Sequence, residues 1–375
     1  MKNVLSRVLR AAMACAFAVL VLAPGAAAAV AAAGDYNYRV DGNGNAILSF
    51  YTGQDAVISI PATLDGHNVV EIGDEAFYEC TTLQSVTIPA GVQTIGFGAF
   101  ENCDALTAVT LPEGLITIGE NAFRMCTSLA SINLPDSIQT IGPSAFSICG
   151  ALTLRKLPSS LQSIGKFAFY ACSSLTSVTL PDSLQTIDSF AFDLCTSLTE
   201  INVSADHPVF YVMDGVLFNK ADHTLLYYPN GKPDTTYSVP EGTLAIGNTA
   251  FADCTNLRAV TLPEGLVTIQ AQAFGYNPTL ESIVIPDSLR VIDGYAFTDC
   301  ESLQSITLPE GMESIGTRTF ANCRALMSAV LPASVQSIEA DAFDGCRNLT
   351  LTVPKGSFAE TFAVTQGIPY QLSGT

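Results

Sequence analysis

The chain has no tryptophan, three histidines and little positive charge, with 16 Lys and Arg against 35 Asp and Glu in 375 residues. A formal charge of -19 leaves nothing to neutralise a phosphate backbone, which excludes nucleic acid as a partner. His67, His207 and His223 stand apart from one another, so no pair has metal-ligand spacing, and no metal or cofactor is expected. Gly-x-Ser-x-Gly, His-Glu-x-x-His and phosphate-loop motifs are missing as well, which leaves no catalytic residue to name and predicts a protein that is not an enzyme. Charged residues make up only 14% and hydrophobic ones 48%, a balance that excludes intrinsic disorder and supplies a large core.

Residues 1–33 form an address. Lys2, Arg7 and Arg10 precede an Ala-rich apolar run over 11–33 that ends in small residues, the pattern of a Sec-type export signal. Pro24 and the Ala-rich end suit cleavage, with retention as a membrane anchor the alternative. Cys15 comes too early in the run for a lipoprotein site and reads as filler. Removal of this segment gives a strongly acidic exported chain with no membrane span.

The rest of the chain is dominated by one repeat. Phe recurs after Ala, once after Thr, at Phe77, Phe100, Phe123, Phe146, Phe169 and Phe192, then at Phe251, Phe274, Phe297, Phe320 and Phe343, with the same 23-residue step throughout each run. A fixed period of this size predicts a solenoid. The unit is Leu-x-x-Val-x-Leu-Pro-x-x-Leu-x-x-Ile-Gly-x-x-Ala-Phe-x-x-Cys, as at Leu106, Val109, Leu111, Pro112, Leu115, Ile118, Gly119, Ala122, Phe123 and Cys126. Alternation and β-branching in Leu-x-x-Val-x-Leu predict a short strand ended by proline, which has no N–H to continue a ladder. Leu-x-x-Ile predicts a second extended stretch, the Gly or Asp after it a turn, and x-x-Ala-Phe-x-x-Cys a helical or 3₁₀ turn that closes the coil. One coil buries too few side chains to offset the ordering of its backbone, so coils must stack, each strand pairing with the next. The predicted architecture is a leucine-rich, right-handed β-coil stack, a repeat solenoid with a parallel sheet on its concave face and a cap at each end.

Ten cysteines, Cys80, Cys103, Cys126, Cys149, Cys172, Cys195, Cys254, Cys300, Cys323 and Cys346, each lie three residues after the repeat Phe. Export invites disulfides. The eleventh equivalent position is Asn277, which cannot bridge but can hydrogen-bond the backbone, so free, buried thiols in a Cys/Asn ladder are expected.

The step from Phe192 to Phe251 is longer than two periods, so something is inserted. Residues 207–233 read as an inserted β-ribbon, Val209–Asn219 with an Asp214-Gly215 turn and then Thr224–Tyr228. Arg155 stands where a Val should point inward, which predicts a bulge or a shift to Leu154, and Ala329 underfills the same column. The boundaries are therefore an N-terminal β cap over 34–61, the solenoid over 62–354 and a C-terminal cap over 355–375 with a short helix within 356–366.

The repeat unit, the Asp-Gly-Val-Leu-Phe-Asn-Lys ribbon at 214–220 and the Gly-Ile-Pro-Tyr ending at 367–370 resemble the BspA-like leucine-rich repeat proteins, over essentially all of residues 35–375. The resemblance implies a bacterial secreted or cell-surface protein of adhesion type, and partners such as host matrix proteins, fibronectin or fibrinogen among them. It supplies no catalytic residue.

Two surfaces are candidates for an extracellular protein or glycan. Outward positions on the first strand of each coil, Ser85, Thr87, Thr110, Ser131, Asn133, Ser177, Thr179, Asn202, Thr261, Ser282, Ser305 and Thr307, form a neutral, hydroxyl-rich face, or simply a wetted one. Phe210, Tyr211, Tyr227 and Tyr228 place four aromatics on the ribbon, either projecting as contact area or packing it down onto the stack. A structural protein that self-associates is the alternative to both. Asp41-x-Asn43-x-Asn45 begins like a calcium loop, but Ala46 replaces the glycine and Thr52 the bidentate Glu, so a hairpin turn is expected. Glu113, Asp136, Asp182, Glu264, Asp287 and Glu310 come after the Leu-Pro or Ile-Pro turn along one edge, a solvated acidic rim.

Overall fold

Each repeat sequence folds into two short strands joined by turns. The computed structural model describes residues 33–154 and 156–374; the export signal expected at the N-terminus, Cys15 and the bulge expected at Arg155 lie outside the described residues. In the first strand, Ser85–Thr87, the central Val86 is buried while its neighbours face outward, as period-two alternation demands. It pairs in parallel with the next coil, Ser85 opposite Ala108, Val86 opposite Val109 and Thr87 opposite Thr110. The second strand, Thr94–Ile95, pairs with Thr117–Ile118, and the series runs on through Thr140–Ile141 and Ser163–Ile164 to Thr186–Ile187. The stack therefore carries two columns of mainly parallel strands, each divided into shorter sheets, with the core between them.

The third segment is not the helical turn expected from x-x-Ala-Phe-x-x-Cys. Left-handed residues bracket the phenylalanine, Ser144 at φ 53° and Ile148 at φ 63° in one coil. Every second N–H points to the following coil: Ser144 donates to Lys166 O at 2.8 Å, Phe146 to Ala168 O at 2.8 Å and Ile148 to Tyr170 O at 2.7 Å. The segment thus forms a third ladder, while the N–H groups in between close tight turns within the coil, Ser147 donating to Ser144 O at 3.0 Å and Cys149 to Phe146 O at 3.2 Å. The glycine after the second strand serves packing rather than conformational freedom. A Cβ on Gly119 would stand 2.8 Å from Ile95 O, and one on Gly142 would stand 2.8 Å from Gly119 C, so these coils approach too closely for a side chain, whereas Asp188, Gln270, Asp293 and Glu339 fill the same place in other coils.

Inside, like residues stack on like. The rings from Phe77 to Phe192 lie with centroids 4.8 to 5.4 Å apart, nearly parallel, and those from Phe251 to Phe343 do the same. The caps extend the column, Tyr51 meeting Phe77 at 5.1 Å and Phe362 meeting Phe343 at 6.3 Å. The cysteines are free, and Cys103 Sγ donates to Phe77 O at 3.1 Å, a bond repeated by Cys126 to Phe100 O and Cys149 to Phe123 O. Asn277 occupies its place in this ladder with Nδ2 2.7 Å from Phe251 O.

At the N-terminus, Tyr36–Val40 and Ala46–Tyr51 form an antiparallel hairpin. Asp41 Oδ1 accepts from the N–H groups of Asn43 and Asn45 at 2.8 and 2.9 Å, so that carboxylate serves the turn. At the C-terminus the helix Phe358–Gln366 starts on Ser357, whose hydroxyl accepts from Glu360 N, and stops at the left-handed Gly367. Among the described residues no helix is long and apolar enough to cross a membrane.

Candidate binding surfaces

The hydroxyl-bearing residues are brought together by register. Because neighbouring strands pair residue for residue without stagger, equivalent positions stack in columns about 4.8 Å apart. Thr87 stands opposite Thr110 and Thr179 opposite Asn202. Thr110, Ser131, Asn133, Thr179, Thr261 and Thr307 are exposed and Thr87 is half-buried. Each hydroxyl offers one donor and two acceptor sites without charge, which suits neutral polar partners. The columns are interrupted by apolar side chains: Val284, opposite Thr261, is 58% exposed, and Met327, just before the strand Ser328–Val330, is 56% exposed.

The acidic rim lies beside this face. Glu113, Asp136, Asp182, Glu264, Asp287 and Glu310 were expected along it, and the structure leaves all of them exposed just beyond the Pro turns. Asp136 is held below the usual carboxylate range by the N–H of Ser159, 2.9 Å from its Oδ1, with help from the Ser159 hydroxyl and Lys156.

The ribbon does not project. Phe210–Met213, Val216–Asn219 and Thr224–Tyr227 are antiparallel neighbours, and the last of them pairs in parallel with Ala245–Ile246, so the insertion is stitched into the second sheet. Asp214 and Gly215, at φ 51° and 78°, make the tight turn that the Asp-Gly pair announces. Its aromatics face inward because this is where the two hydrophobic clusters meet, Leu217 joining the first and Phe218 the second. Phe210 is 3% exposed and Tyr228 1%, which removes both as contact residues. Tyr228 stacks on Phe251 at 5.1 Å and so begins the second phenylalanine column. Tyr227 is spent on the stack as well: its hydroxyl lies 2.7 Å from Phe192 O, the carbonyl that a ladder thiol would otherwise serve. Tyr211 is half-buried and stacked on Phe218.

Two structural groups escaped the sequence reading. His207 is fully buried, with Nε2 3.0 Å from Pro181 O and Nδ1 accepting from the N–H groups of Val209 and Phe210, so it pins the ribbon to the preceding coil. Burial pushes its pKa down. Asp193, also buried, has its pKa pushed up to about 7 by burial and by the neighbouring Asp253. Neither carried a sequence signal, since each depends on contacts across the insertion.

Comparison with known proteins agrees with this architecture. The model of the BspA type leucine-rich repeat region matches residues 57–159, 149–219 and 230–350. A leucine-rich cell surface protein from Faecalibacterium prausnitzii is similar in structure with a TM-score of 0.70 and 29% identity, over 89% of this chain and 96% of that one. The pneumococcal vaccine antigen PcpA is similar with a TM-score of 0.77 and 26% identity, over 91% of this chain and 97% of that one. A leucine-rich repeat protein from Eubacterium ventriosum, with a TM-score of 0.61 and 20% identity over 85% of this chain and 84% of that one, shares the fold. No curated protein matches the sequence significantly. With its 23-residue coils, its phenylalanine and thiol columns and a match across most of its length, the chain belongs to the BspA-type leucine-rich repeat family, whose structural neighbours include bacterial surface proteins.

Proposed function

We propose that the chain is a non-enzymatic, exported binding module that takes an extracellular protein or glycan onto the hydroxyl-lined face of its first sheet. The observation that carries this reading is that Thr110, Thr179, Thr261 and Thr307 stand exposed and uncharged at the equivalent position of the first strand in different coils, Thr110 in register with Thr87 and Thr179 with Asn202. A row of this kind presents the same group at regular intervals, which matches a partner with repeated polar groups and lets weak contacts add. Its likeness to a bacterial cell surface protein supports a location outside the cell. The basic and apolar segment at the N-terminus supports the same location.

The test is binding of the protein to immobilised fibronectin, fibrinogen, collagen and mucin at physiological salt. Saturable binding is expected to at least one of them, and Thr110→Arg combined with Thr261→Arg should weaken it at least tenfold by breaking the row. Equal binding by the double variant would remove the sheet face as the site. No binding to any of the four would refute the matrix-binding reading. The exposed Val284 and Met327 favour the second reading, self-association, whose mark is oligomers that grow with concentration in the absence of any ligand.

A further inference from the structure

The insertion leaves a shortened turn in the stack. Leu225 pairs with Ile246, and Tyr228 stacks on Phe251. Phe251 follows Ile246 by five residues, but Tyr228 follows Leu225 by only three. This coil therefore lacks the two residues between glycine and alanine in Ile-Gly-x-x-Ala-Phe. In their place is a cavity of about 180 Å³, bounded by Ile187, Asp188, Phe190, Phe192, Leu226 and Asn248 among others.

One wall of this slot is a row of main-chain donors. From Phe77 to Phe320, each phenylalanine of the column except Phe192 donates its N–H to the next coil, Phe169 to Ala191 O and Phe251 to Ala273 O both at 2.8 Å. Phe192, 2% exposed, has no acceptor for its N–H among the described residues, and neither has Phe190. Phe167 also lacks this bond one coil earlier, so Phe192 is the diagnostic donor. The groups around it are provided for: Asp193 Oδ1 accepts from Leu194 N at 3.0 Å, and the Tyr227 hydroxyl serves Phe192 O. Across the slot, Asn248 O takes the position of Lys166 O, which in its own coil accepts from Ser144, and has no donor among the described residues. A buried donor without a partner costs about 1–3 kcal/mol, and such groups are rare enough in native structures to need a reason.

We infer that the slot binds a short extended segment of a partner polypeptide, two of whose carbonyls, two residues apart, accept from the N–H groups of Phe190 and Phe192. In an extended chain the residue between those carbonyls turns its N–H the other way, toward Asn248 O. The bound segment thus completes the ladder that the shortened turn interrupts, an addition of main chain to an unpaired edge. Ile187, Leu217 and Leu226 supply an apolar wall for one aliphatic side chain. At the mouth, Phe190 stacks on Phe167 at 4.8 Å, with Lys166 Nζ 5.1 Å from the Phe167 centroid, giving the segment an aromatic platform. Asp188 at the slot and the acidic charge of the whole chain disfavour a free carboxylate, so the segment is internal, and neutral or basic. The inference rests on the reading of the chain as a binding module and adds a second, located site to it. A polypeptide fits better than an acetylated amino sugar because the donors repeat the spacing with which this stack pairs its own main chain.

The test is a titration of the full chain, labelled with ¹⁵N-phenylalanine, with N-acetylated and C-amidated hexapeptides of valine, lysine and serine. The amide signals of Phe190 and Phe192 should shift saturably while those of Phe169 and Phe251 stay in place. Insertion of two residues after Leu226, which restores the regular turn, should abolish the shift. Because that insertion can disturb the ribbon, Ser189→Trp at the mouth provides a second variant, expected to weaken peptide binding at least tenfold. Peptide binding that leaves both signals unmoved, no shift with any peptide, or a shift with tri-N-acetylchitotriose alone would each overturn the assignment. Matrix-protein binding, measured on the same preparation, separates the two readings: if it persists while both signals stay still, the slot fails and the binding module stands.

Discussion

Asn277→Cys should stabilise the protein. Asn277 is 1% exposed and spends both its Nδ2 protons well, on Phe251 O at 2.7 Å and Phe274 O at 3.0 Å. Its Oδ1 is buried without a donor. A buried acceptor left unpaired costs about 1–3 kcal/mol, whereas an ordinary hydrogen bond contributes about 0.5–1.5 kcal/mol net. Cysteine at this position removes the orphan oxygen and keeps one donor for Phe251 O, as Cys300 Sγ does for Phe274 O at 3.0 Å. It also frees the residue's own N–H for the bond to the preceding Phe carbonyl that Cys300 N makes to Phe297 O at 3.3 Å. Against this stands the loss of two amide bonds in exchange for one weaker thiol bond. The balance favours cysteine by about 1 kcal/mol. Urea unfolding under reducing conditions measures it as a shift in midpoint with an unchanged slope. The reverse change in a regular coil, Cys126→Asn, should destabilise by a similar amount because it creates the same unpaired oxygen. If Asn277→Cys instead lowers stability by about 1 kcal/mol or more, the unpaired oxygen costs less than the amide bonds contribute, and the ladder is not a series of interchangeable donors.

Three further outcomes rest on buried groups. Asp193 has a folded pKa raised to about 7, so the folded state holds its proton longer than the unfolded chain does and stability falls as pH rises from about 4 to about 7; Asp193→Asn should therefore stabilise by on the order of 2–4 kcal/mol at pH 8 and by clearly less at pH 5, as read from thermal unfolding. His207 has a folded pKa below its ordinary value, so the unfolded chain takes up the proton first and stability is lost as pH falls below about 6.5; limited proteolysis within residues 207–233 should accelerate between pH 6.5 and 5 and stay flat above pH 7. Burial raises the thiols of Cys149 and Cys300 to about 12, while Cys346 in the last coil is only half-buried, so iodoacetamide should label Cys346 ahead of Cys149 and Cys300 in the native protein and all ten column thiols once it is unfolded without reductant.

The columns could be read before the fold was seen because each coil repeats the contacts of the last: Phe must meet Phe and Ile must meet Ile at the same step, so a 23-residue spacing encodes both period and core. Asn277 was equally legible, since one exception in a column of cysteines shows what the column does. The turn was not. Its backbone places Glu75, Asn121, Ser144 and Phe167 at the same left-handed position, and those residues share no composition from which a conformation could be inferred. The recurrent glycine suggested freedom where the cause is a clash, visible only when two coils are side by side.

The ribbon was legible as strands, but not in its placement, because the pairing of Thr224 with Ala245 and the burial of Phe210 and Tyr228 are decided by residues distant in sequence. That placement also explains why the shortened turn matters more than the ribbon around it. In a stack whose coils saturate one another's main chain, a partner can reach only outward side chains or a break in the ladder. The insertion repairs most of its own break, through the hydroxyl of Tyr227, the carboxyl of Asp193 and the amide of Asn230, 2.6 Å from Ala252 O. These pairings confine the unpaired groups to one row, the N–H groups of Phe190 and Phe192 and the carbonyl of Asn248, so the break is localised rather than spread through the junction. Those unpaired groups line one cavity together with Asp188 and Leu226, which is where a partner's main chain can complete the ladder.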